Sequence, residues 1–281
     1  MRADFHLHST ASDGKHSPQE LVRLAAAAGV QIMALTDHDT VAGILPAEAA
    51  ARECSIRFIP GVELGTDIPF PEVHILGYFI DPGGPGFQAG LEEQRHSRVE
   101  RARQMLEKLE GVGVHLSWER VQALAAGGSI GRPHIALARV EKGYVPTLRD
   151  AFATHIGRDC PAYVKRRKLT PESAVGLICK GQGLAVLAHP AQIDQLDELI
   201  PRLKAAGLVG MEAYYDNYPP DIVNSLLDTA RRYELLPLGG SDYHGIGADN
   251  TPIGGVDLPT RLVEDFLALA REKARFCSPA G

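Results

Sequence analysis

The sequence predicts an α/β fold, a closed or nearly closed barrel of six to seven mostly parallel strands with helices outside and one mainly helical insertion. Three observations predict it. Short apolar runs alternate with capped helical patterns over residues 1–85 and again over 169–281, the arrangement of strand–helix units around a parallel sheet. Between them, residues 86–168 lose the alternation and become highly charged and helical in pattern. A length of 281 residues suits one large α/β domain with an insertion.

The elements follow in order. Residues 3–8 (ADFHLH) form the first strand. Ser17 caps a helix, with Pro18 at its first position, Glu20 closing a capping box and Gly29 ending it. Residues 31–36 are the second strand, 41–53 the second helix, and 57–65 and 73–80 two further strands. The insertion opens with a long charged helix over 88–110 and continues with short helices over 118–126 and 132–141, around glycines 127, 128 and 131. Thr170-Pro171-Glu172 then caps a helix before the strand at 184–188. A helix at 196–206, a strand at 208–215, a helix at 220–233, a strand at 235–240 and a closing helix at 260–275 complete the chain.

Composition narrows the class. Hydrophobic residues at 44% and charged residues at 23% are those of a globular protein able to bury its own core. The formal charge of −6 argues against a partner of long duplex nucleic acid. Four cysteines (Cys54, Cys160, Cys179, Cys277) stand far apart with no Cys-x-x-Cys pair, which fits a reducing cytoplasm and neither a zinc finger nor a dithiol redox centre. The N-terminal residues carry an acid where a signal peptide needs an apolar stretch, and no apolar run reaches membrane-spanning length. The expectation is a cytoplasmic protein with no membrane and no obligate protein partner.

The chemistry is carried by histidines and carboxylates near the ends of strands. In His6-Leu7-His8 the two histidines project to one face of a strand, about 7 Å apart at their backbones, and their imidazoles can converge on one ion. Asp13 follows in the next loop, Thr36-Asp37-His38-Asp39 ends the second strand, Glu63 is late in the third, and His74 enters the fourth. His189 ends LAVLAHP, and Asp242 and His244 follow the last strand. The C-terminal strand ends of a parallel barrel share one face, so these residues would meet there. Nine potential ligands exceed the needs of one ion and indicate two or three, while imidazole and carboxylate without thiolate suit Mn, Fe or Zn in a catalytic rather than a structural site.

HLHS, TDHDT, GVE, the single His74, AHP and GSDYH, in this order, resemble the successive motifs of the PHP (polymerase and histidinol phosphatase) superfamily. The resemblance spans the chain from residue 6 to residue 244. It implies a distorted (β/α)7 barrel, TIM-like in plan, with a trinuclear site. His6, His8, Glu63 and Asp242 would hold one cation, Glu63, His74 and His189 a second, and Asp13, His38 and His244 a third. Many members have His where this chain has Asp13, a harder ligand that favours Mn2+ or Mg2+ over zinc. Within the insertion, Gly131-Arg132-Pro133-His134 and Pro161-Ala162-Tyr163-Val164 resemble the polymerase-free subgroup, which includes 3′,5′-nucleoside bisphosphate phosphatases and enzymes that trim short RNA from its 5′ end.

The expected reaction is therefore phosphoester hydrolysis, since paired cations acidify a water and aim it at phosphorus. Glu63, Asp242 and His189 would form the catalytic set, and 3′-phosphate release from a nucleoside 3′,5′-bisphosphate is the expected activity. Arg132 and His134 are the candidate phosphate grip, Lys165 a further cationic contact from the run at 165–168, and Tyr214 a candidate base-stacking ring. A histidinol-phosphate or other small phosphomonoester phosphatase is the nearest alternative. A carbon–nitrogen amidohydrolase would leave Asp13, His38 and His244 superfluous, and a silent binding module would not need a full ligand set.

Overall fold

In a computed structural model of the chain, the described residues are 1–66, 73–125, 127–165, 169–215, 218–246 and 251–277. They contain seven strands: β1 (Ala3–Asp4), β2 (Ile32–Leu35), β3 (Arg57–Thr66), β4 (Val73–Tyr78), β5 (Leu184–Leu187), β6 (Leu208–Tyr215) and β7 (Leu236–Gly240). These lie side by side in sequence order, and a Leu7–Tyr243 bridge with the His8 N–H to Tyr243 carbonyl bond (3.0 Å) brings the two edges together into a barrel. Four of the six strand pairings are ordinary parallel barrel contacts; the exception is β4, which pairs antiparallel with both β3 and β5. Only residues 67–72 separate β3 from β4, too few for a parallel crossover, so the chain must turn straight back.

The reversal matters for the site. Because β4 runs backwards, its first residues lie on the face where the other strands end, and His74 stands opposite Gly65. The first strand is shorter than the expected 3–8. Regular pairing stops at Asp4, whose buried carboxylate accepts the backbone N–H groups of His6, Ser241 and Gly254 and the Ser241 hydroxyl. The segment from His6 to His8 is thus tied to the end of β7 by side-chain bonds as much as by the ladder.

Helices α1 (Pro18–Ala27), α2 (Ile44–Glu53), α3 (Pro85–Gly111), α4 (Trp118–Leu124), α5 (Arg132–Glu141), α6 (Leu148–Ala151), α7 (Pro171–Lys180), α8 (Leu196–Ala206), α9 (Pro220–Arg232) and α10 (Thr260–Cys277) complete the fold. The α1 capping box forms as the sequence indicates, Ser17 and Glu20 satisfying each other's N–H groups. Helices α1 and α2 cover one side of the sheet, and α7, α8 and α9 another. The chain between β4 and β5 is helical (α3 to α6 and a π-helical turn at Phe152–Ile156) with its own apolar cluster around Met105, Leu109, Val121, Ile135 and Ile156. Helix α3 belongs to two cores at once: Phe87 and Leu91 pack in the outer barrel layer, Ala102, Met105 and Leu109 in the helical segment. Among the described residues no helix is long and apolar enough to cross a membrane.

The barrel interior is filled by Phe5, Ile59, Leu76, Tyr78, Val186 and Leu238, closed at the strands' N-terminal end by α10. Phe266 of α10 is fully buried and meets Phe5, Tyr78 and Phe79 at ring distances of 5.1, 5.2 and 5.2 Å. Phe266→Ala is expected to cost about 3–5 kcal/mol, read as a lowered thermal midpoint, because the cavity opens inside a closed barrel. An unchanged midpoint would show that α10 is not the floor of the core.

Candidate metal centre

Strand ends and the loops after them deliver every histidine and carboxylate of the expected set to one place. Glu63 (1% exposed) is at its middle. Its Oε2 faces His6 Nε2 (3.3 Å), His8 Nε2 (3.2 Å) and His38 Nδ1 (3.1 Å), while Oε1 faces His74 Nδ1 (2.7 Å) and His189 Nε2 (3.3 Å). Asp242 Oδ1 lies 3.2 Å from His6 Nε2 and 3.0 Å from His8 Nε2. Asp13 meets His244 Nε2 at 3.4 Å and His38 Nε2 at 3.9 Å, and the His8 and His244 rings stack 4.1 Å apart. The donors group as His6, His8, Glu63 and Asp242; as His8, Asp13, His38 and His244; and as His38, Glu63 and His74, with His189 Nε2 3.2 Å from His74 Nδ1.

These atoms fit cations better than they fit one another. His6 Nε2, both nitrogens of His8, His38 Nδ1, Asp13 Oδ1, Glu63 Oε2 and Asp242 Oδ1 are buried without a hydrogen-bond partner. Each such group costs about 1–3 kcal/mol if left so, and all of them point inward to shared centres. Burial opposes ionisation of Glu63, Asp242 and Asp13, yet the surrounding imidazoles hold all three below the ordinary carboxylate range. Burial pushes His38 down to about 3, against the opposing pull of the Glu63 and Asp13 carboxylates.

A second layer of polar residues, absent from the sequence-derived set, orients the first. Glu212 is fully buried and accepts from His6 Nδ1–H (3.0 Å) and from the His189 backbone N–H (2.8 Å), leaving His6 Nε2 to face the centre. Asp37 accepts from Ser9 N–H (2.8 Å), the Ser9 hydroxyl (2.7 Å) and the Ser12 hydroxyl (2.6 Å), closing the loop that carries Asp13. Arg98 of α3 pairs with buried Asp39 (2.5 Å). Three residues of the site, Asp39, His189 and Asp242, have φ of +52°, +29° and +50°, a left-handed backbone that costs energy in non-glycine residues and clusters at functional sites.

The four candidate substrate residues are placed differently from one another. Arg132 opens α5 with its guanidinium over the Phe152 and Tyr163 rings, 5.5 and 6.0 Å from their centres. His134 is 3% exposed; its Nδ1 accepts from Gly131 N–H (3.0 Å) and its ring lies beside the Ser12 backbone. Lys165 is exposed at the end of the helical segment, and the rest of its basic run, 166–168, lies outside the described residues.

Tyr214 packs against two apolar clusters, and it is Tyr215 that faces the candidate ligands. The Tyr215 hydroxyl donates to Asp242 Oδ2 at 2.5 Å, with its ring beside His6 and His189. Strand alternation from Glu212 would turn Tyr214 inward, but a bulge between Glu212 and Tyr214 shifts the register by one and exchanges the two faces. Opposite this bulge only glycine fits: a Cβ at Gly239 would lie 1.8 Å from the Tyr214 carbonyl oxygen, and one at Gly240 2.5 Å from the His6 backbone nitrogen. The Gly239-Gly240 pair is the sequence signal that could have revealed the bulge.

Comparison with known proteins agrees with this geometry. A profile described as "PHP domain" matches residues 4–147. The chain is similar to a 3′,5′-nucleoside bisphosphate phosphatase of Chromobacterium violaceum, 37% identical across 91% of this chain and 92% of that one. It is also similar to a 5′-3′ exoribonuclease of Haemophilus influenzae, 36% identical across 92% and 93%. A solved structure from Bifidobacterium adolescentis, described as a metal-dependent phosphoesterase, superposes with a TM-score of 0.87 at 31% identity over 95% of each chain. The chain belongs to the PHP domain family and is a metal-dependent phosphoesterase.

Proposed function

We propose that the protein removes the 3′-phosphate of nucleoside 3′,5′-bisphosphates and acts on short RNA from its 5′ end through the same centre. The observation that carries this reading is a cationic side chain outside the ligand clusters. Arg132, braced by two aromatic faces, is set on the helical segment rather than among the strand ends, as a second phosphate of the substrate requires. The names of the two relatives, a bisphosphate phosphatase and an exoribonuclease, support a substrate that carries a phosphate at each end. A chain of net charge −6 with no long basic run fits a small nucleotide or oligonucleotide better than a duplex.

Divalent cations held by the three groups would supply Lewis acidity and charge neutralisation for attack on phosphorus, and the hard Asp13 carboxylate suits Mn2+. The chain's own residues do the rest. Glu63 spans the clusters with its two oxygens and sets their separation. Asp242 offers Oδ1 to the centre while its Oδ2 is fixed by Tyr215, whose hydroxyl keeps its proton because burial and Asp242 push its pKa up. Glu212 holds both His6 and His189 in ligating orientation. The helical segment from α3 to α6 acts as a substrate cap, with Arg132 and Lys165 contacting the distal phosphate. His134, buried with its ring engaged in the protein, shapes the mouth instead.

The decisive experiment compares a bisphosphate with p-nitrophenyl phosphate. Arg132→Ala is expected to lose about 2–4 kcal/mol in kcat/KM for adenosine 3′,5′-bisphosphate, a bidentate charged contact, and to leave the aryl phosphate nearly untouched. Equal losses on both substrates would place Arg132 at the reacting phosphate, and no loss on either would remove it from substrate binding. In a second variant, Glu63→Gln, kcat should fall by more than about 100-fold on both substrates while the far-ultraviolet circular dichroism stays native. Turnover close to wild type would mean that Glu63 does not span the cations.

A further inference from the structure

The group formed by Asp13, His38 and His244 is walled on two sides by the helical segment, and each wall is in direct contact with a ligand-bearing loop. On the first side the turn at 128–131 sits on loop 9–14. Ser129 N–H donates to the Ala11 carbonyl at 2.8 Å, and the His134 ring lies beside the backbone of Ser12, next to Asp13. Gly128 approaches so closely that a Cβ there would lie 2.5 Å from the Ala11 oxygen and 2.6 Å from the Thr10 oxygen. On the second side Arg98 reaches Asp39, next to His38, at 2.5 Å. Asp39 in turn accepts from Gly65 N–H (3.3 Å) and donates its own N–H to the Glu63 carbonyl (2.9 Å). The two walls are not independent: Ser9 and Ser12 bind Asp37, beside His38, and α3 is one continuous helix of 27 residues rooted in the barrel layer by Phe87 and Leu91.

We infer that the helical segment is a structural part of this one cluster: seated on Ala11 and on Asp39, it fixes the spacing of Asp13 and His38 and thereby sets how tightly the cluster holds its cation. The other clusters depend on it less directly: Glu63, His74, His189 and Asp242 are positioned by barrel strands and by Glu212, and the shared His8 and His38 and the Asp39 bonds to the β3 backbone are what link them to the walls. Gly128, Ser129, His134 and Arg98 are positioning residues, acting through the loops they hold. By linkage the coupling is reciprocal, so a cation in this cluster also seats the helical segment over the mouth. The inference rests on the reading of Asp13, His38 and His244 as a cation site.

The test is manganese binding to the metal-stripped full chain, followed by calorimetry and elemental analysis, in wild type, Gly128→Ala, Arg98→Gln and Asp13→Asn. Gly128→Ala lifts the turn from Ala11 without opening a cavity, and Arg98→Gln keeps a neutral donor for Asp39. Both should weaken the last equivalent of manganese by about 10–100-fold, as loss of a ligand-orienting contact does, and change the tighter equivalents by less than about threefold. Hydrogen exchange supplies the reciprocal readout: manganese should slow exchange of the 127–134 amides in wild type and fail to do so in Asp13→Asn. Wild-type affinities in Gly128→Ala and Arg98→Gln, with one equivalent lost in Asp13→Asn, would overturn the coupling and leave the site standing. No loss of manganese in Asp13→Asn would remove the site itself, and the inference with it.

Discussion

One buried carboxylate organises this molecule. Glu63 is almost wholly removed from water, and an ionised carboxylate there is unsustainable without compensating charge. The fold answers with five imidazole nitrogens around its two oxygens, drawn from the β1 segment, β2, β4 and β5. That requirement accounts for several otherwise odd features. The reversed β4 is what lets His74 reach Oε1, and the bridge of His38 to Glu63 carries the second strand's end past its last regular pair. The site is therefore an extension of strand order, with the chemistry placed where the backbone pairing runs out.

Hydrogen-bond satisfaction separates two kinds of buried acid. Asp4, Asp37, Asp39 and Glu212 each accept from backbone, hydroxyl, guanidinium or imidazole donors and hold loops or rings in place. Asp13, Glu63 and Asp242 keep inward oxygens that no protein donor satisfies. The first kind holds the architecture, and the second has the geometry expected of a ligand. A left-handed backbone occurs in both kinds, at Asp39 and at Asp242, and again at His189, so the strain marks the site as a whole.

Much of this was legible in the sequence, for identifiable reasons. Period-two alternation put His6 and His8 on one face, and strand ends carried His38, Glu63, His189, Asp242 and His244, so the candidate ligand residues that the fold brings together could be gathered from pattern and resemblance. The direction of β4 was written in the six residues before it, though strand–helix alternation concealed it. Tyr215 was hidden because a bulge breaks the very periodicity used to read a strand, and its neighbour Tyr214 took the expected role on paper. Glu212, Asp37, Asp39 and Arg98 were invisible for another reason. Their meaning lies in contacts across 23 to 206 positions, which no local pattern encodes.

The central claim, that Glu63 joins several cations in one centre, is tested most directly by anomalous diffraction at the manganese edge from manganese-loaded crystals. The account predicts two to three anomalous peaks, at least two of them bonded to Glu63, one through each carboxylate oxygen. A single peak, or several peaks none of which contacts Glu63, would contradict it.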